Sequence, residues 1–187
     1  LASLLIAVPL GWWAHRTRAA RVLLLSGSSA LYALPSLPLF VILPVVLGTR
    51  ILDPINVIVA LTIYGIALLV RSAAEAFDAV STDVSRAAVA VGHNRWQLFS
   101  QVALPLAGPP ILAGLRVVSA STLSLVSVGA LIGVRSLGSL FTEGYSRSFL
   151  LEIGVGIVGT IVLAVIFDAL IVLGGRLLMP WVHATRR

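Results

Sequence analysis

The sequence predicts an all-α integral membrane protein of about five transmembrane helices, and three observations carry that expectation. Of the 187 residues, 59% are hydrophobic and only 11% charged, with a mean hydropathy of +1.07, whereas a soluble domain carries about a quarter charged residues. Such a chain has too little polar surface to cover a water-soluble globule. The apolar residues are gathered into long runs, which need a bilayer for solvent. The 13 basic residues, all arginine, fall between these runs and form no single patch. That placement fits charges that hold loops on one side of a membrane and argues against nucleic acid as a partner. The length suits a single domain, residues 1–187.

The first run, Leu1–Ala14, is too short to span and lacks the basic start of a signal peptide. It is read as the tail of a membrane helix whose beginning is missing from the sequence. The second run, Val22–Gly48, is interrupted by Pro35, Pro38 and Pro44. Each proline removes a backbone donor, and a freed carbonyl is costly in lipid. This helix is therefore expected to bend, with its broken part facing other helices or a cavity. The third run, Pro54–Val70, is short for a span and is expected to extend past Arg71, with Pro54 in its first turn. The fourth, Pro109–Leu131, is expected to start at Pro109-Pro110, and the fifth is Phe149–Met179.

If each run spans, Arg16, Arg18, Arg21, Arg71, Arg86, Arg95, Arg176, Arg186 and Arg187 share one side. Arg50, Arg135 and Arg147 fall on the other, and Arg116 lies within the fourth run. This bias makes the first side cytoplasmic. The longest polar stretch, Arg71 to Val102, is then a cytoplasmic loop. Its pattern is helical: Ser81 or Thr82 caps, Asp83 suits the first turn, and Ala87, Ala88, Val89 and Ala90 favour helix. Gly92 ends that helix, and Asn94 to Phe99 begins a second, amphipathic one. A helix–Gly–helix elbow is expected to project from the membrane.

The elbow reads Arg86-Ala87-Ala88, three residues, Gly92, nine residues, then Val102-Ala103-Leu104-Pro105. It resembles the cytoplasmic loop of ATP-binding cassette (ABC) importer permeases, where Glu-Ala-Ala, a Gly and a later Leu-Pro recur at this spacing. The resemblance continues along the chain. Leu34-Pro35-Ser36-Leu37, Gly92-His93-Asn94-Arg95-Trp96-Gln97, Ile111-Leu112-Ala113-Gly114-Leu115-Arg116 and Ala130-Leu131-Ile132-Gly133 followed by Leu137-Gly138 all resemble stretches of glycine betaine and osmoprotectant (quaternary amine) permeases. Methionine importers share several of these motifs.

The resemblance implies the type I, MetI-like fold and a permease subunit in a bacterial cell membrane. Residues 81–105 would form the coupling loop, with Asp83, Arg86, Ala87, Ala88, Gly92, Arg95, Leu104 and Pro105 meeting a partner ATPase. Arg86 departs from the pattern, standing where the family usually has Glu, so either the partner's groove differs or Asp83 supplies the acidic contact. The implied partners are a second permease subunit, identical or homologous, two ATP-binding subunits, an extracytoplasmic substrate-binding protein and the lipid bilayer. ATP and Mg would sit on the partner ATPase, so this chain is expected to bind no cofactor. The implied solute is a glycine betaine, choline or carnitine type of osmoprotectant; the alternatives are another small solute such as methionine, or an ATP-independent channel or secondary transporter. Pro35, Ser36 and Asp168 are the candidates for the translocation path.

The remaining motifs carry no chemistry. Gly154-Val155-Gly156-Ile157-Val158-Gly159 matches a dinucleotide pattern, but it lies inside an apolar run without a preceding strand. These glycines, and Gly129 with Gly133, are expected to allow close helix packing. Arg116 and Asp168 are charges inside spans, with Asp168 expected to pair within the bundle. His15, His93 and His183 show no metal spacing, and no catalytic or phosphate-binding motif is present. The chain is expected not to be an enzyme. Trp12, Trp13, Trp96 and Trp181 fall near cytoplasmic boundaries, so an aromatic cage for a quaternary ammonium group is expected on the binding protein.

Overall fold

The computed structural model describes residues 1–184, and these form helices and short connections without strands. Arg186 and Arg187, expected on the cytoplasmic side, lie outside the described residues. Helix α1 (Ala2–Arg16) ends at Thr17, whose extended backbone turns directly into α2 (Arg18–Ala33). Leu34 and Pro35 are then extended. A residue before proline is pushed out of the helical region, and Pro35 has no N–H to continue the ladder. Helix α3 (Ser36–Leu47) therefore leaves α2 at 103°, so the expected bend is a complete break. Pro38 falls in the first turn of α3, where no intrahelical donor is needed.

Helix α4 (Pro54–Asp78) starts with Pro54 behind an Asp53 cap that accepts from the Ile55 N–H. It extends past Val70 as expected, so Arg71 lies inside the helix, paired with Glu75 one turn on. Its outer connection is held by Asn56, which is fully buried, donates to the Arg50 carbonyl at 2.8 Å and accepts from the Thr49 hydroxyl. The elbow follows: α5 (Thr82–Ala90), then α6 (Arg95–Gln97), then a π-helical turn over Leu98–Ala103 and α7 (Leu104–Gly129).

The expected start of the fourth span at Pro109-Pro110 is corrected. Both prolines lie inside α7, and helical structure is continuous from Arg95 to Ile132. Leu104-Pro105 is the start of that helix and not the end of a loop. The register changes just before Pro105, where the Leu104 N–H reaches back to the Phe99 carbonyl in a π-type bond. A short turn, Ala130–Ile132, ends at Gly133 with φ +87°. Gly133 is thus a turn residue, and both members of the expected pair meet a neighbour: a Cβ on Gly133 would lie 3.0 Å from Leu52 and one on Gly129 3.5 Å from Val57. Helices α8 (Ser139–Ser146), α9 (Leu150–Leu178) and α10 (Trp181–Ala184) complete the described chain.

Among the described residues three helices are long and apolar enough to cross a bilayer, Pro54–Asp78, Arg95–Ile132 and Leu150–Leu178, and the bent α2–α3 pair is a fourth when taken as one broken span. Helix α1, at 15 residues, is about 22 Å long against a hydrocarbon thickness of about 30 Å, so the expected fifth span is present only as a short helix. Helix α4 is the centre of the bundle. Half of its most apolar window is buried, against 6% for α9, because α1, α2, α3 and α7 all pack on it while α9 packs on α7 and α8.

Helix α1 runs parallel to α4, with Ser3 at Thr62 and His15 at Asp78. Helix α7 runs antiparallel to α4, from Ala107 and Ile111 beside Phe77 to Gly129 beside Val57. Helix α9 reverses again, from Asp168 at Arg116 to Gly175 at Leu112. This alternation puts Arg16, Arg18, Arg21, Arg86, Arg95 and Arg176 at one end of the bundle and Arg50, Arg135 and Arg147 at the other, which is the expected bias.

Close approach of α1 to α4 depends on Gly11. A Cβ there would lie 2.5 Å from Ala73 Cβ and 3.0 Å from the Ala74 backbone nitrogen. Gly11→Ala is expected to destabilise the detergent-solubilised protein by about 1–3 kcal/mol, since backbone cannot move aside cheaply. Gly174→Ala, with nothing within 4 Å of the new Cβ, is expected to be neutral or to stabilise by up to about 1 kcal/mol. Thermal unfolding of the two variants in one detergent checks the contrast. Sidedness is read separately: a cysteine at Arg95 is expected to resist an impermeant thiol reagent in intact cells, and cysteines at Arg50 and Arg147 to react with it.

Candidate functional site

The elbow is built by three local devices. Ser81 accepts from the Asp83 N–H and starts α5. Gly92 turns the chain with φ +93°, a conformation open to glycine and strained for side-chained residues. The Ala88 carbonyl accepts from both the His93 N–H and the His93 ring Nδ1–H, each at 3.1 Å, closing the turn. Asn94 and Gln97 then make a reciprocal capping box that starts α6.

Helix α5 has an inward and an outward face. Ala88 is 8% exposed, so this alanine packs within its own chain and is not on the surface offered to a partner. Asp83, Arg86, Ala87 and Ala90 fall at i, i+3, i+4 and i+7 and are all exposed. The Arg86 guanidinium lies 4.0 Å from the Asp83 carboxylate, so the outward face carries a pair of opposite charges around two alanines and no net charge. Val84, Val91 and Trp96 add exposed apolar surface beside it, and Arg95 is also exposed.

What ties the elbow to the bundle was not visible in the sequence. The Trp12 ring of α1 meets Phe77 of α4 at 5.1 Å and Phe99 of the π-turn at 5.3 Å, and Trp96 meets Phe99 at 5.6 Å. His15 stacks on Trp12, and the Arg16 guanidinium lies 5.3 Å from the same ring. Asp78, at the end of α4, accepts from His15 at 2.7 Å and from Arg21 of α2. The start of the elbow is thus joined to α1, α2 and α4, and its end flows directly into α7. Helices α5 and α6 pack on the π-turn, which sets Phe99 and Ala103 against Trp12 and Phe77 and continues into α7. The aromatic residue types at Trp12, Phe77 and Phe99 were legible, but their meeting depends on helix register across three elements.

Inside the bundle the candidates separate. The break at Leu34-Pro35 faces α4 and α7 across a cavity of about 360 Å³ lined by Tyr32, Leu34, Ser36, Tyr64, Ser121 and Ser124. Pro35 makes the break and Ser36 lines the cavity. Asp168 does not. Its carboxylate accepts two hydrogen bonds from the Arg116 guanidinium, one of them 2.8 Å long. The pair clamps α9 to α7, some ten residues and about 15 Å from the inner end of α9. Among the described residues no cluster of metal-ligating side chains occurs.

The Gly154–Gly159 motif is also resolved. Gly156 is buried against Leu140 and Phe141 of α8, Gly159 touches Leu137, and Gly154 faces no atom within 4 Å. Only part of the motif therefore serves packing within the chain.

Comparison with known proteins agrees with this architecture. The family model described as "binding-protein-dependent transport system inner membrane component" matches residues 6–184. The chain is 36% identical over 141 residues to the ergothioneine transport permease/ergothioneine binding protein EgtU of Helicobacter pylori strain G27, which covers 75% of the chain and 25% of the relative. It is 32% identical over 178 residues to the glycine betaine/proline betaine permease ProW of Escherichia coli strain K12, covering 94% of the chain and 49% of ProW. The osmoprotectant import permease OsmW of Salmonella typhimurium strain LT2 is 28% identical over 172 residues, or 90% of the chain and 80% of OsmW. The chain thus spans half or less of the first two relatives. In fold it is similar to an inward-facing MetNI methionine ABC transporter chain, with a TM-score of 0.73 at 21% identity over 97% of this chain and 88% of that one.

The Arg116–Asp168 clamp has a direct test. A charge left alone at this depth is costly in lipid. Arg116→Leu and Asp168→Leu are each expected to lower the membrane yield of folded protein. The double Leu variant, which leaves no unpaired charge, is expected to recover most of it. Quantitative blotting of detergent-soluble protein measures the three yields.

Proposed function

The chain belongs to the binding-protein-dependent transport system inner membrane components, and from that premise we propose that it is the permease subunit of an ABC importer for betaine-type osmoprotectants. The observation that carries the reading is the elbow of α5 and α6. It offers a small-residue face at the arginine-rich end of the bundle, packs on the π-turn that meets α1 and α4, and leads into α7. An element so exposed and so firmly joined fits a lever that a partner moves.

In this reading two permease subunits, identical or homologous, enclose the pathway. Two ATP-binding subunits hold ATP and Mg and hydrolyse the nucleotide, while this chain binds neither. Closure of the ATPase pair pushes the outward face of α5, and the bundle passes between inward-open and outward-open states. An extracytoplasmic binding protein delivers the solute. The paired charges of Asp83 and Arg86 account for an arginine where similar permeases carry glutamate: the face stays neutral overall, so the partner's groove need not be basic.

The solute class follows from the relatives. Glycine betaine, proline betaine, carnitine and ergothioneine, named for the similar proteins, are all betaines, each with a quaternary ammonium and a carboxylate. A methionine solute has support from motifs shared with methionine importers and from a likeness of fold at 21% identity, and none of those similar proteins is named for it. A channel or secondary transporter would leave the exposed elbow without a use.

Co-purification tests the lever. Ala87→Trp places a bulky ring in the middle of the outward face, and Gly92→Val strains the turn by about 1–3 kcal/mol. Both variants are expected to insert and fold, yet to lose ATPase co-purification and solute uptake by at least about tenfold. Ala88→Trp is expected to behave differently, because Ala88 is buried: it disrupts the elbow itself and lowers the yield of folded protein. Full assembly and unaltered uptake in both Ala87→Trp and Gly92→Val would show that α5 is not the coupling element.

A further inference from the structure

We infer that the cavity at the α2–α3 break contacts the quaternary ammonium group of the solute in transit, with Tyr32 as its principal cation-facing residue. The inference rests on the betaine reading above and assigns a passage site to this chain, distinct from capture by a binding protein.

Three observations converge on it. The rings of Tyr32 and Tyr64 stand 6.3 Å apart at 86°, two walls of an aromatic corner. The Tyr64 hydroxyl is committed, donating to the Leu34 carbonyl at 2.7 Å, and Tyr64 is buried, whereas Tyr32 is half exposed and is the more accessible of the two rings. An aromatic face attracts a cation within about 6 Å of its centroid.

The backbone contributes both signs. Helix α2 ends at the break and helix α3 begins there without a side-chain cap, so the negative end of one helix dipole and the positive end of the other meet beside the cavity. Ser36, Ser121 and Ser124 supply hydroxyls at the rim, suited to the carboxylate end of a zwitterion.

What is missing matters as much. None of the lining side chains is charged. An amino group with N–H donors, or a free anion, would be poorly served by rings alone, whereas a trimethylammonium group has no N–H to satisfy. The absence of a full counter-charge keeps the hold weak, which passage requires: a site must be favourable enough to enter and shallow enough to leave. The volume, about 360 Å³, falls in the range of small-molecule sites. Tyr64 lies ten residues into α4, about 15 Å from its outer end, which places the corner deep in the bundle.

The test uses the complete transporter, reconstituted in proteoliposomes with its ATPase and binding protein. Initial uptake of glycine betaine, choline and carnitine is measured for wild type, Tyr32→Phe and Tyr32→Leu at saturating binding protein. Tyr32→Phe keeps the ring and is expected to transport within about twofold of wild type. Tyr32→Leu is expected to lower the maximal rate about 5- to 30-fold, the worth of one desolvated cation–π contact. The apparent KM, set by the binding protein, should stay unchanged. Should Tyr32→Leu fail to assemble, Ser124→Phe fills the same cavity from α7 and is expected to abolish uptake in an assembled complex.

Uptake by Tyr32→Leu equal to wild type, equal losses in Tyr32→Phe and Tyr32→Leu, or normal uptake in assembled Ser124→Phe would each overturn the inference. If the wild-type complex moves none of the three solutes, the betaine reading falls and this inference with it. Transport by wild type with unaffected variants overturns only the passage site.

Discussion

In hydrocarbon every backbone polar group must find its partner inside the protein, and this constraint arranges the rest of the structure. It makes the chain helical, and it decides where the helices are allowed to fail. The prolines at 109 and 110 are tolerated inside α7, and the ladder changes register in the π-turn before Pro105, near the end of the bundle. The one complete break, at Leu34-Pro35, opens onto other helices, where the Tyr64 hydroxyl takes up the Leu34 carbonyl. Irregular backbone inside a bilayer is found where it is buried or lines a cavity, and here it does the second.

The same economy explains why α4 is the mast of the bundle. Its buried residues are mostly small, Ala60, Ala67, Ala73, Ala74 and Ala76 among them, and lipid supplies no hydrophobic drive to bring helices together, so close van der Waals approach must do it. Gly11 of α1 and Gly114 of α7 come in against this surface, Gly114 beside Ser72. The inner end of α4 carries Phe77 and Asp78, and there ring packing with Trp12 and Phe99, the Arg21–Asp78 ion pair and the His15–Asp78 hydrogen bond join α1, α2, α4 and the π-turn.

Sequence reasoning reached the architecture because its signals are local. Apolar runs, prolines and arginine placement act within a span, and the spacing of Ala87, Gly92 and Pro105 acts within one loop. It missed what depends on register between distant segments. Arg116 and Asp168 were each recognisable as intramembrane charges, but nothing in their 52-residue separation announces that they meet. Ala88 looked equivalent to Ala87, and only the rotation of α5 separates a buried alanine from an exposed one. Pro109-Pro110 imitated a helix start because proline favours a first turn, yet helical structure already runs from Arg95 through the π-turn into α7. Tyr32 and Tyr64 drew no notice, since each is unremarkable until the break brings them together.

The placement of charge completes the picture. The ion pair of Arg116 with Asp168, half exposed and midway along the helices, holds α9 to α7, and α9 has few buried residues of its own. The cavity at the break holds none. On the proposed betaine reading, a formal charge facing the cavity would trap a zwitterion by its opposite end, and every kcal/mol of extra hold would slow release by about fivefold. Neutralising the membrane charges against each other, away from the break, leaves the cavity with dipoles and rings only. In the importer proposed above, that arrangement would let movement of the bundle, and not the depth of a binding well, decide when a solute passes.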